Sequence, residues 1–308
     1  MKKNDTIKWL LEGDVSIQYQ TWRDLLDVEK PKLQRRIAKE GWGAQFISKR
    51  NNDGHWGQRY YQPKWTSSHY TILDLRYLNI HPDDIDISGI INELIEGIGE
   101  DGGIYPIGFG KAADVCLNGM FLYYACYFGV KLKDIKSVVD FLLREQMDDG
   151  GFNCMSNRKG ARHSSLHTTL SVLEGILDYR KNGFGYRVNE LKKAEEESRE
   201  FILEHRLYKS SSTGETINQS MITLHYPPRW YSDILRSLDY FRSAGCSFDE
   251  RMQDAVYVIM KKRKKDGKWP LQAHHPGKRH FEMETVGQPS RWNTLRALRV
   301  LKHFGLDL

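Results

Sequence analysis

No run in the 308-residue chain approaches the roughly 18 to 20 continuous apolar residues that a membrane-spanning helix needs. Cysteine is scarce. Cys116, Cys126, Cys154 and Cys246 lie far apart in a chain large enough to need no staples, so reduced thiols and a cytoplasmic protein are expected. The segment Ile7-Lys8-Trp9-Leu10-Leu11, which follows the start Met1-Lys2-Lys3-Asn4-Asp5, is too short and interrupted for a signal-peptide core. The alternating pattern of half-buried strands is almost absent. Nucleic-acid binding is not expected either: no groove-reading motif accompanies the one basic run, Lys261-Lys262-Arg263-Lys264-Lys265. That run reads as a solvated helix end whose cations face the negative pole of the helix dipole. What remains is 40% hydrophobic and 28% charged residues with a net charge of +6, the balance of a globular protein.

The strongest positive signal is internal repetition. Asp-Gly pairs recur at Asp53-Gly54, Asp101-Gly102, Asp149-Gly150 and Asp266-Gly267, with Thr213-Gly214 as a degenerate copy. An aromatic follows each intact pair: Trp56, Tyr105, Phe152 and Trp269. Helix-period segments precede the pairs, as at Val138 to Gln146 and Met252 to Lys265. After each pair comes a polar loop and a second helical segment: His69 to Leu78, Val115 to Phe128, Leu166 to Tyr179, Trp230 to Phe241 and Trp292 to Phe304. Gly129, Gly183, Gly245 and Gly305 stop four of these five. The reading is a single all-α domain over residues 1–308, with an N-terminal helical hairpin in 1–30 and five helix-pair repeats in 31–308. One hairpin cannot bury its apolar face alone, so neighbours stack, either closing into a ring of about six hairpins or growing an open superhelix.

The Asp-Gly-(Gly)-aromatic turn between two helices resembles the repeats of squalene and oxidosqualene cyclases and of protein prenyltransferase β subunits, from about Gln45 to Phe304. That resemblance implies an α/α toroid, a barrel of inner helices whose N-terminal loops frame a cavity. It also implies a metal site. Asp114-Val115-Cys116 opens one inner helix and His167 stands near the head of the next, which is similar to the prenyltransferase zinc ligands. Carboxylate, thiolate and imidazole are all zinc donors, and three protein ligands leave the open fourth position of a catalytic site. Each residue also has a plainer role: Asp114 as an N-cap, Cys116 as a small core residue, His167 as a satisfied buried histidine. The protonating Asp-x-Asp-Asp of the cyclases has no counterpart. Asp83-Asp84-Ile85-Asp86 reads instead as an acidic cluster at a helix N-terminus.

Around the mouth, Trp65, His69, His163, Trp230, Tyr231 and Trp292 suit a small apolar or isoprenoid-like ligand. Lys111, Arg229 and Arg291 suit its anionic head group. The loop Leu271 to Ser290, with His274, His275, His280, Glu282 and Glu284, reads as a solvated loop or a lid. Three functions stay open. The first is a zinc-dependent enzyme acting on an apolar, isoprenoid-like substrate. The second is a non-catalytic binder of a lipid-like or isoprenoid molecule. The third is a carbohydrate-active toroid pairing Asp114 with Asp233 or Glu284.

Overall fold

The computed structural model describes residues 3–105 and 112–306. Among the described residues the chain is all helical, with isolated bridges such as His225 to Ala273 and no strand. The first four helices are α1 (Lys3–Leu11), α2 (Val15–Leu25), α3 (Pro31–Gln34) and α4 (Gly41–Ile47). Next come α5 (Ser68–Leu78), α6 (Ser88–Glu96), α7 (Val115–Tyr127), α8 (Leu132–Arg144) and the short α9 (Ser156–Lys159). The last five are α10 (Leu166–Lys181), α11 (Val188–Glu204), α12 (Ile234–Ser243), α13 (Gln253–Lys262) and α14 (Arg291–His303). None is long and apolar enough to cross a membrane.

Two kinds of helix alternate. α8 is amphipathic: Ile135, Val138, Val139, Phe141 and Leu142 are buried, while Lys133 and Lys136 on the other side are exposed. α7 is apolar all round and buried from Val115 through Leu122. The strongly buried α5, α7, α10, α12 and α14 pack in chain order, each on the next, and α14 packs on α2. Buried arginine cements that last contact, with Arg299 Nη1 donating to Asp24 Oδ2 at 2.9 Å. In turn α2 reaches the end of α5, where Gln20 Nε2 donates to the Tyr77 carbonyl at 3.0 Å.

The helix boundaries follow from capping. Asp14, Asp114, Asp233 and Ser290 each accept a first-turn backbone N–H. The cap at Asp233 explains why α12 starts at Ile234 and leaves Trp230 and Tyr231 in the preceding loop. Four of the strongly buried helices stop at the glycines expected; α5 stops at Asn79, whose φ of 60° provides the same left-handed turn.

The Asp-Gly turns are structural copies. Gly54, Gly102, Gly150 and Gly267 have φ between 77° and 86°, which a side chain rarely adopts. Each donates its N–H to the carbonyl three residues earlier. Two residues on, Trp56, Ile104, Phe152 and Trp269 are buried, and their N–H groups bond Ser68, Asn118, Thr169 and Thr294 at 2.8 to 3.0 Å. Ile104, and not the expected Tyr105, therefore holds the repeat's aromatic position. The indoles of Trp56 and Trp269 both donate to a carbonyl ten residues upstream, at 2.7 Å. Gly214 departs from the pattern, bonding Ser210 four residues back.

Candidate functional site

The closest helix pair positions the site. A Cβ on Gly119 of α7 would lie 2.7 Å from the Val172 Cα of α10, and one on Gly175 would lie 2.4 Å from the Gly119 carbonyl. Only glycine allows that approach, and it brings the start of α7 against the loop that leads into α10. There Asp114, Cys116 and Cys154 converge, their ligand atoms within 4.8 Å of one another. The Cys116 and Cys154 thiols donate to Asp114 Oδ1 at 3.1 and 3.0 Å, and the Cys116 N–H points at Cys154 Sγ at 3.2 Å. Thr168 Oγ1 lies 3.3 Å from Cys154 Sγ. The same Asp114 oxygen accepts the Leu117 N–H at 3.3 Å, so the residue is an N-cap as well. The hydrogen bond with Cys154, burial and the Asp114 charge together push the Cys116 thiol well above its ordinary pKa. One carboxylate and two sulfurs form a donor set suited to zinc.

His167 stands outside this cluster. Its Nδ1 accepts the Ser232 N–H at 2.8 Å, and its ring meets Trp230 and Tyr231 edge-on. The reason is positional. Cys116 and His167 are each the second residue of their helix, so each turns toward the loop before the following strongly buried helix. For Cys116 that loop carries Cys154; for His167 it carries Ser232. Burial, with Arg236 nearby, lowers His167 to about 4. Cys154 was absent from the sequence-level ligand set, although it sits two residues past the repeat's anchored Phe152, where the turn bonds α10.

The other mouth residues are packed on one another. Trp65 donates to the Pro276 carbonyl at 2.6 Å, and His69 is enclosed by Tyr60, Tyr61, Tyr70 and Tyr124, burial lowering its pKa to about 3. Trp230 and Tyr231 stack at 3.8 Å, and His275 and His225 continue the column at 4.1 and 4.3 Å. Arg229 pairs with buried Asp74 at 2.5 Å, while Arg291 lies over Trp9. His163 is exposed, and Lys111 lies outside the described residues. Lys64, overlooked in the sequence, sits over both Trp65 and Trp230; burial lowers its pKa, against the pull of Cys116 and Asp114. The Leu271 to Ser290 loop is tied down across this region, with His280 Nε2 2.9 Å from Thr71 Oγ1. Its Glu284 accepts the Arg291 and Trp292 N–H groups at 2.6 and 3.2 Å and is raised by burial to about 7. Of the acidic cluster near residue 85, Asp83 and Asp84 pair with Arg35, and Asp86 accepts the Ser88 N–H at the start of α6.

A second feature lies toward the other ends of the helices. Residues of α2, α5, α7, α10, α12 and α14 line a cavity of about 310 Å³ that is rich in arginine and carboxylate. Trp292 is the one mouth candidate on its wall.

No protein-family model matches the chain, and no curated protein matches its sequence.

Proposed function

We propose that the chain is an α/α toroid of the squalene cyclase and protein prenyltransferase kind, and a zinc-dependent enzyme with Asp114, Cys116 and Cys154 as metal ligands. Support for the ring comes from the packing of α14 on α2 and from a cavity to which six helices contribute. One observation carries the metal reading: a single Asp114 oxygen within 3.1 Å of two sulfurs at the head of α7. Three protein donors leave a fourth position for a reactant. Zinc held there by Asp114, Cys116 and Cys154 would supply a Lewis acid able to activate a nucleophile at neutral pH. Thr168 orients Cys154, and Lys64 places a cation beside the cluster. The mutual packing of the mouth aromatics leaves them occupied with one another and favours a polar substrate over an isoprenoid chain.

Metal analysis of the full-length protein tests this. One zinc per chain is expected, lost in Cys116→Ser and Cys154→Ser while helical circular dichroism persists, and kept in His167→Asn. Cobalt substitution should give a thiolate charge-transfer band that each serine variant weakens. A chain that stays metal-free after reconstitution, or a Cys154→Ser protein that holds zinc normally, would remove the proposal.

A further inference from the structure

The charged cavity plays no part in the metal reading. Its carboxylates are already satisfied. Asp24 is held by Arg23 and Arg299 at 2.6 and 2.9 Å, and Asp178 by Arg76 at 2.7 Å. Arg236 grips both oxygens of Glu174, at 3.0 and 2.7 Å. Asp239 is shared among Arg242, Arg299 and, at 3.7 Å, Arg296. The helix C-termini gathered here contribute about half a negative charge each, which accounts for much of the arginine. Charge alone therefore requires no ligand.

Unpartnered donors do. Arg296 Nη1, Tyr77 Oη and Trp292 Nε1 are buried without a hydrogen-bond partner among the described residues, and all three residues line the cavity. Arg296 is 4% exposed and Trp292 1%. Burial and the nearby Glu174 keep the Tyr77 phenol protonated, hence a donor. The wall behind them is ordered: Trp292 stacks on Tyr226 at 4.5 Å and on Trp42 at 6.1 Å. Buried donors without acceptors cost free energy until an acceptor reaches them. Three donors with no free acceptor among them call for an acceptor-rich ligand, and the guanidinium among them favours one that is anionic.

We propose that this cavity binds a small organic anion, a phosphate ester or a polycarboxylate, whose oxygens accept hydrogen bonds from Arg296, Tyr77 and Trp292. Its size suits a compact metabolite, at the lower end of ligand pockets.

The test is thermal unfolding and titration calorimetry of the full chain with inorganic phosphate and, separately, citrate, against sodium chloride at matched ionic strength. Saturable stabilisation by either anion is expected; the stronger response tells phosphate from carboxylate chemistry. Arg296→Met should weaken binding about tenfold or more. Tyr77→Phe keeps the packing, guards against misfolding of the arginine variant, and should weaken binding by a few-fold. The Cys154→Ser protein should bind as the parent does, which separates this site from the metal centre. No saturable response beyond chloride, or unchanged affinity in Tyr77→Phe together with Arg296→Met, overturns it.

Discussion

The two ends of the strongly buried helices treat ionisable groups in opposite ways. Near the N-terminal ends the imidazoles and the thiol are kept neutral: burial lowers His69 and His275 to about 3 and His167 and His280 to about 4, and the Cys116 thiol is raised. Near the C-terminal ends the carboxylates and arginines are ionised and paired. Burial alone would raise Asp24, but Arg299 and Arg23 outweigh it and hold the carboxyl at about 2. Burial explains the neutral imidazoles, and the negative C-terminal poles of the helices favour arginine at the other end. One end thus holds its imidazoles and thiol neutral, and the other gathers paired fixed charge.

Removing a charge from the ionised end should do the most damage. Arg299→Met strands Asp24 and Asp239 in the interior and should cost roughly 3 to 5 kcal/mol, read from urea unfolding. A charge-preserving Arg299→Lys that cost as much would shift the weight from charge to geometry.

The neutral end should fail first in acid. An imidazole whose folded pKa lies below its unfolded 6.5 binds fewer protons in the fold. Its contribution is complete above pH 6.5 and is lost as pH falls through the folded value. For His167 that amounts to about 3 kcal/mol by pH 4. Asp24 has the depressed carboxylate's pattern, complete above 3.8 and lost only as pH falls through about 2. Hydrogen exchange at pH 5 should therefore loosen the first turns of α5 and α10 before their last turns. His167→Asn, which keeps an acceptor for the Ser232 N–H, should flatten the pH dependence; an unaltered slope would contradict the assignment.

Separating the two helices that bring Asp114, Cys116 and Cys154 together should cost less. Gly119→Ala meets α10 backbone and should destabilise by roughly 1 to 3 kcal/mol while weakening zinc uptake. The smallest effect concerns the repeat itself. Thr294→Ala leaves the buried Trp269 N–H without its acceptor, about 1 kcal/mol in thermal unfolding, with the zinc content unchanged.

Much of the fold was legible in the chain. Asp-Gly spacing marked the turns because only glycine takes that φ cheaply, and the caps and terminal glycines bounded helices to within a few residues. The larger errors were at α8, which begins at Leu132 and not Val138, and at α12, where Trp230 and Tyr231 continue an apolar periodicity that Asp233 interrupts. The site was half legible. Asp114 and Cys116 are neighbours in sequence and stay together in space, whereas Cys154 reaches them only because Gly119 and Gly175 let two backbones touch.

By itself, then, the sequence determined what is local: helix identity, caps, turns and the repeat, all set by interactions within a few residues. Tertiary structure alone decided which third side chain joins Asp114 and Cys116, that His167 turns to Ser232, and that arginines 23, 76, 236 and 299 gather around one cavity. Those outcomes depend on close approach between helices far apart in the chain, which no local spacing encodes.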